Sequence, residues 1–266
     1  MTSTIVENPS GVGGSDTMTA VALAVDSSTA LQPVCNQVAA DEVDSCVMTY
    51  DETSATAIRT VVFDFGGVFT ESPMAAARNA AIQTGVDPDA LIDLMLGNYG
   101  VESDHPWQRV ERGEIPLEEA RVWSRLESRR QLGVEIDPME VMNALLETPV
   151  RSCMVELVEE LRDHGLKTVL LTNNAKELRG HWEELADWGS LFHAVVDSSE
   201  IGVRKPSIDA FTFALDSCGE QEPAGALMVD DFSANIAGAE SIGMRGVLVG
   251  EDPTAAITAI RELVLS

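Results

Sequence analysis

The stretch Arg59-Thr60-Val61-Val62-Phe63-Asp64-Phe65-Gly66-Gly67-Val68-Phe69-Thr70 decides how the rest of the chain is read. Val61, Val62 and Phe63 form a short apolar run that ends on a carboxylate, and two glycines follow almost at once. Such a run, closed by turn residues, predicts a buried strand and then a loop. Runs of the same character recur at Lys167 to Leu171, Ala194 to Val196, Ala226 to Val229 and Gly246 to Val249. Between them lie segments of helical spacing such as Met154 to Leu161 and Ile208 to Leu215. Strands alternating with helices imply an α/β fold with a Rossmann-like parallel sheet and helices on both faces. Residues 73–149 break the alternation. They contain no comparable strand run, while Pro88, Pro116 and Pro138 suit the first turns of three helices, with Pro106 near a fourth. The expectation is an all-helical insertion after the first strand, with residues 58–72 and 150–266 forming the core.

Upstream of Arg59 the pattern changes. Residues 1–57 carry eight acids and no base, are rich in Ser, Thr and Ala, and hold no sustained period, so they read as a disordered acidic tail. Val21 to Val25 is the one piece that could form a short element there. Gly11, Gly13 and Gly14 only superficially resemble a phosphate loop, because no strand leads in and no lysine follows.

Charge excludes several functions. The 266 residues hold 17 Lys and Arg against 44 Asp and Glu, a formal net charge of -27. That field repels nucleic acid and anionic membranes, so neither is an expected partner. A small phosphorylated substrate would need a local cation, either a metal or a buried lysine, to enter against it. Cys35, Cys46, Cys153 and Cys218 fall in no metal or redox spacing, no apolar run approaches a membrane span, and no basic leader precedes Arg59. A cytoplasmic location, as monomer or homodimer, is expected. His105, His164, His181 and His193 lie in no metal or triad spacing and read as structural.

In an open parallel sheet ligands bind at the carboxyl ends of the strands, so the polar residues that end them are the candidates: Asp64, Thr172, and the pair Asp230 and Asp231. Lys205, in the loop Gly202-Val203-Arg204-Lys205-Pro206, reads alone as a solvated cation but is placed to reach the same crevice.

Four ordered segments, Asp64 to Thr70, Leu171-Thr172-Asn173-Asn174, Gly202 to Pro206 and Val229-Asp230-Asp231-Phe232, resemble the motifs of the haloacid dehalogenase superfamily. The resemblance covers roughly residues 58–250, with a helical cap at the insertion point. It is closest in wording to the phosphatase domain of soluble epoxide hydrolases and to bacterial sugar-phosphate phosphatases. It implies a Mg²⁺-dependent phosphatase of small phosphorylated metabolites, sugar phosphates among them. Asp64 would attack phosphorus and form an aspartyl phosphate. Asp64, Asp231, the backbone carbonyl of Gly66 and, at one remove, Asp230 would hold Mg²⁺ through oxygen alone. Thr172, Asn173 and Gly67 would contact phosphate, and Lys205 would offset the gathered charge.

The sequence departs from the pattern at two places. Gly66 stands where the phosphatases carry a second Asp that protonates the leaving group, with Glu71 or a cap residue as possible substitutes. Asn235 replaces an acid four residues after Asp231, which is expected to loosen Lys205 or Asp231. Trp107, Arg109 and Arg112 are candidate cap contacts, though packing for the first and a solvated helix face for the others is the simpler expectation. Two other functions fit the residues: a metal-free 2-haloacid dehalogenase, or a non-catalytic binding protein on the same scaffold.

Overall fold

The computed structural model describes residues 56–265, except Glu147. The expected tail up to Ala55, including Val21 to Val25, Cys35 and Cys46, lies outside the described residues. No helix among those described is long and apolar enough to cross a membrane.

Strand β1 (Thr60–Phe63) is followed by α1 (Pro73–Thr84), α2 (Pro88–Leu96), α3 (Pro106–Glu111), α4 (Leu117–Leu132), α5 (Pro138–Leu146) and α6 (Ser152–Asp163) before β2 (Lys167–Thr172) appears. Short helices α7 (Arg179–Glu183) and α8 (Trp188–Leu191) lead to β3 (Ala194–Asp197) and α9 (Ser198–Ile201). Next come α10 (Ile208–Ser217), β4 (Ala226–Asp230), α11 (Ser233–Ser241), β5 (Arg245–Leu248) and α12 (Thr254–Val264). All strand pairs are parallel, in the order β3-β2-β1-β4-β5. The chain winds from β1 outward to β3, then returns to the other side of β1 for β4. The switch therefore falls between β1 and β4, where their carboxyl ends part to leave a crevice.

The period of two along each strand divides the core into layers. Val61, Phe63, Leu170, Leu227 and Val229 face one side, against Met154, Leu157 and Leu161 of α6 and Ile257 and Ile260 of α12. Val62, Val169, Leu171 and Met228 face the other, against Phe211, Ala214 and Leu215 of α10 and Ala239 of α11. β1 is buried along its whole length because it has a strand on each edge and a helix layer on each face.

Helices α1 to α5 have a core of their own, built from Ala77, Ala81, Leu91, Met95, Trp107, Val110, Leu117, Ala120 and Val141. Prolines open α1, α2, α3 and α5, where the missing N–H costs nothing, and Pro116 stands just before α4. The helix that Pro73 opens is a fifth beyond the four announced by Pro88, Pro106, Pro116 and Pro138. Before α3 the ring of His105 serves as cap: Nδ1 accepts from the Trp107 N–H at 3.2 Å and Nε2 meets the Leu94 carbonyl at 3.1 Å. Burial holds this imidazole below its ordinary pKa, which suits an acceptor nitrogen.

One buried ion pair joins these helices to the sheet. Arg204, in the loop between α9 and α10, is fully buried, and its Nε lies 2.6 Å from Oε2 of Glu111 at the end of α3. Its guanidinium also sits 4.4 Å from the centroid of the Tyr99 ring. Removing one partner strands the other charge away from water. Glu111→Ala is accordingly expected to cost about 3–5 kcal/mol and lower Tm by roughly 6–20 °C. The double variant Arg204→Met/Glu111→Met should recover much of that loss in thermal unfolding, because no lone charge remains. An unchanged melting temperature for Glu111→Ala would show that the pair does not hold the two parts together.

Candidate active site

The fold brings Asp64, Thr172, Asp230 and Asp231 to the same end of the sheet. Asp64 follows β1 directly, its N–H donating to the Val229 carbonyl of β4 at 2.8 Å, so it lies on the switch point itself. Thr172 ends β2 and is buried, and Asp230 ends β4 and is fully buried.

Lys205 is no solvated cation. It is 1% exposed, and its Nζ lies 2.6 Å from Asp64 Oδ1 and 2.8 Å from Asp230 Oδ2. Asn173, next to Thr172, holds the backbone that carries it. Its Oδ1 accepts from the Lys205 N–H at 2.9 Å and its Nδ2 donates to the Lys205 carbonyl at 3.0 Å. The side chain of Asn173 is thus a brace for the lysine loop, a role separate from the phosphate contact expected of its backbone.

Asp230 is saturated with donors. Oδ1 accepts from the Phe232 N–H at 2.8 Å, Oδ2 from Lys205, and Asn235 Nδ2 lies 3.1 Å from both oxygens. Asn235 therefore bonds to Asp230, a carboxylate other than the Asp231 expected to loosen. Asn235 Oδ1 is left buried without a hydrogen-bond partner among the described residues. Asp231 instead lines the cavity and is hydrogen-bonded by Ser72.

The two glycines after Asp64 differ in kind. Gly67 has φ 75°, and a Cβ built on it would fall 2.0 Å from Asp231 Oδ2. Any side chain here would both strain the backbone and expel the carboxylate. Its N–H donates to the Glu71 carbonyl at 3.2 Å and its carbonyl accepts from Arg151 Nη1 at 2.7 Å. Gly67, expected to touch phosphate, has its backbone groups engaged elsewhere and makes room for Asp231 instead. Gly66 has no left-handed φ, and its Cβ would meet only the Pro73 ring, at 3.2–3.3 Å.

Charge in this pocket is unbalanced. Asp64, Asp230 and Asp231 each place a carboxylate oxygen within 4.8 Å of the others, while Lys205 is the ammonium between two of them. Burial pushes the Asp64 carboxyl up to about 8; Lys205 opposes this, and the charges of Asp230 and Asp231 add to it. Burial likewise raises Asp231 to about 6. Burial works to lower the Lys205 ammonium, but Asp230 and Asp64 outweigh it and hold its pKa above the ordinary value. Three carboxylates against one ammonium leave a negative excess in low dielectric, and an all-oxygen donor set of this kind can hold a hard metal ion.

The cavity above the carboxylates is walled by Pro73, Met74, Leu96, Tyr99, Trp107, Glu111, Met142 and Phe232. Trp107 is buried as packing predicts, yet it also faces the cavity, with Nε1 donating to Glu111 Oε1 at 2.9 Å. Arg112 is not solvated: it is buried and bonded to Glu114 and the Ser103 carbonyl. Arg109 is partly exposed and paired with Glu114. Glu71 is exposed and does not line the cavity, so it cannot stand in for the acid missing at Gly66. Sequence reasoning missed Tyr99, Glu111 and Arg204. The four-residue spacing of Trp107 and Glu111 on one helix face was the available signal for the second; Tyr99 offered none.

Residues 58–243 match the family model of haloacid dehalogenase-like hydrolases. The chain is 30% identical over 207 residues to the mouse acyl-CoA dehydrogenase family member 10, covering 74% of this chain but only 18% of that protein. It is 25% identical over 223 residues to a sesquiterpene phosphatase of Aspergillus oryzae, covering 79% of this chain and 98% of the relative. Among solved structures, the L-2-haloacid dehalogenase RSc1362 shares the fold with a TM-score of 0.58 at 19% identity, over 77% of this chain and all of that one. With a family model spanning β1 to β4 and the helices inserted after β1, and the strand-end carboxylates in place, the chain belongs to the haloacid dehalogenase-like hydrolases.

Proposed function

We propose that the chain is a Mg²⁺-dependent phosphatase of small phosphomonoesters, acting through an aspartyl phosphate on Asp64. The observation that carries this reading is the unbalanced carboxylate cluster: Asp231 beside Asp64, with Lys205 bridging Asp64 and Asp230. Displacing halide from carbon needs one nucleophilic carboxylate and no metal, whereas a phosphoryl group needs the charge neutralisation that an ion on this cluster would supply. The phosphatase named among the relatives supports the same choice.

Asp64 and Asp231 would hold the ion, with the Gly66 carbonyl beside them and Asp230 held back by its own hydrogen bonds. Bound there, Mg²⁺ supplies charge neutralisation for the transferring phosphoryl group. One Asp64 oxygen forms the bond to phosphorus as the ester P–O bond breaks, and the departing oxygen takes up a proton. Water then attacks phosphorus, releasing phosphate and restoring the carboxylate. Lys205 keeps Asp64 aimed through the 2.6 Å contact and opposes the rise of its pKa. Thr172 and the Asn173 N–H, at the end of β2, would bind phosphate oxygens. The substrate is a small phosphorylated molecule, and the protein works as a monomer or homodimer in the cytoplasm without nucleic-acid or membrane partners.

Asp64→Asn should lower hydrolysis of p-nitrophenyl phosphate by more than about a thousandfold with an unchanged circular dichroism spectrum. Substantial turnover would remove Asp64 from the nucleophile's role.

Metal binding should depend on pH in a defined sense. Asp64 and Asp231 have folded pKa values above the ordinary carboxylate value, so in metal-free protein their contribution favours folding when protonated. It declines as pH rises above the ordinary carboxylate value and is gone once pH has passed about 6 for Asp231 and about 8 for Asp64. Mg²⁺ must displace those protons, so the rise in Tm that it causes should be larger at pH 8 than at pH 5.5, by thermal shift against an EDTA control. A shift that shrinks with pH would place the ion elsewhere.

Gly66 leaves no carboxyl to protonate the departing oxygen, so rates should fall steeply from p-nitrophenyl through phenyl to alkyl phosphates under saturating Mg²⁺. Because Gly66 has ordinary φ, Gly66→Asp is accessible with a small shift of Pro73 and should raise the alkyl rate most. A flat leaving-group dependence in the wild type would mean that another group delivers the proton.

A further inference from the structure

Resting on the phosphatase reading, we infer that the substrate's organic group is apolar where it meets the phosphate, and that polyol and sugar phosphates are poor substrates. The argument lies in which polar atoms over Asp64 are already committed. Met74, Leu96, Met142 and Phe232 offer the cavity only carbon and sulfur. Among the described residues, Tyr99, Trp107 and Glu111 are the polar members of the wall above the carboxylates, and they are bonded to one another; at its foot Asn173 spends its amide on Lys205 and Tyr99, and Asn235 spends its donor on Asp230 and keeps only an acceptor, Oδ1, unpaired. The Tyr99 hydroxyl donates to Glu111 Oε1 at 2.9 Å, as does Trp107 Nε1 at the same distance. Glu111 Oε2 accepts from Arg204 Nε at 2.6 Å, and the Tyr99 oxygen receives Asn173 Nδ2 at 3.3 Å. Every side-chain donor that these residues aim at the cavity is spent, and the Glu111 carboxylate already holds three charge-assisted or aromatic donors. A hydroxyl on the substrate beside the phosphate would be stripped of water and given no donor in return. An apolar group loses nothing there and gains contact with the methionines and rings.

This selection is distinct from the leaving-group effect of Gly66, and the two oppose each other in a matched comparison. Glucose 6-phosphate and n-hexyl phosphate both release a primary alcohol, and the sugar's is the less basic of the two. If leaving-group chemistry alone ruled, the sugar would be faster.

The test measures kcat/KM with Mg²⁺ for n-hexyl phosphate and glucose 6-phosphate, with p-nitrophenyl phosphate as reference. Calorimetry on the same Mg²⁺-loaded protein adds the dissociation constants of butylphosphonate and 3,4-dihydroxybutylphosphonate, which cannot turn over. The expected result is hexyl phosphate ahead by at least about tenfold and butylphosphonate the tighter ligand by a similar factor, the cost of burying unpaired hydroxyls. Trp107→Phe, which frees an acceptor on Glu111, should narrow both ratios. Hydrolysis of p-nitrophenyl phosphate together with equal or better handling of the sugar phosphate and the diol phosphonate overturns the assignment of substrate class and leaves the phosphatase reading standing. Failure to release phosphate from all three esters overturns the phosphatase reading, and this inference with it.

Discussion

The contact on which the rest of the site depends is the buried ammonium of Lys205 between Asp64 and Asp230. Three carboxylates at the ends of two neighbouring strands repel one another, and without a cation the end of the sheet could not close around them. The sheet order makes the crowding unavoidable, because β1 and β4 are adjacent and in register to Phe63 and Val229, the residues just before Asp64 and Asp230. Two asparagines then keep the charges apart. Asn173 pins the backbone of Lys205 from β2, and Asn235 pins Asp230 from α11. One carboxylate is consumed in this scaffold. Asp64 and Asp231 remain, raised toward protonation and facing the cavity, which is the state a divalent ion relieves.

Arg204 and Lys205 are consecutive and serve opposite directions. Lys205 turns into the carboxylates, while Arg204 turns into the helices inserted after β1, pairing with Glu111 and covering the Tyr99 ring. The loop between α9 and α10 thus ties the position of the cavity wall to that of the carboxylate floor. Glu111 completes the link by collecting Tyr99, Trp107 and Arg204 on one carboxylate. A polar cluster that is fully paired is rigid and has little left to offer a ligand.

Much of this was legible in the sequence, for physical reasons. Parallel strands buried on both faces must be apolar throughout, so Val61-Val62-Phe63 and its four counterparts stand out, and the polar residues that end them mark the crevice. Lys205 was legible only in company, since nothing local to a loop lysine tells burial from exposure. What the sequence concealed are partnerships made across long separations. Arg112 reads as a helix-surface arginine because its Ser103 partner lies outside any helical period. Arg204 and Glu111 are 93 residues apart, and neither announces the other. Asn235 reads as the loss of an acid, yet its amide donates to both oxygens of Asp230.

The two glycines after Asp64 separate what the backbone demands from what the chemistry omits. Gly67 is obligatory: its left-handed φ and the Asp231 oxygen, 2.0 Å from where a Cβ would stand, forbid every other residue. Gly66 is under no such compulsion, since only the edge of Pro73 crowds it. The absent carboxyl is therefore a property of the chemistry at this position. The nearest phenol does not replace it, because burial and the Glu111 carboxylate push Tyr99 well above its ordinary pKa and its proton is already donated to Glu111. Glu111 itself is tied as an acceptor by Arg204, Trp107 and Tyr99. The floor carries the carboxylate cluster and Lys205, the roof carries paired polar groups and carbon, and on the phosphatase reading neither presents an acid to the departing oxygen among the described residues. On that reading the burden of stabilising that oxygen falls on the substrate, whose leaving group must accept charge by itself.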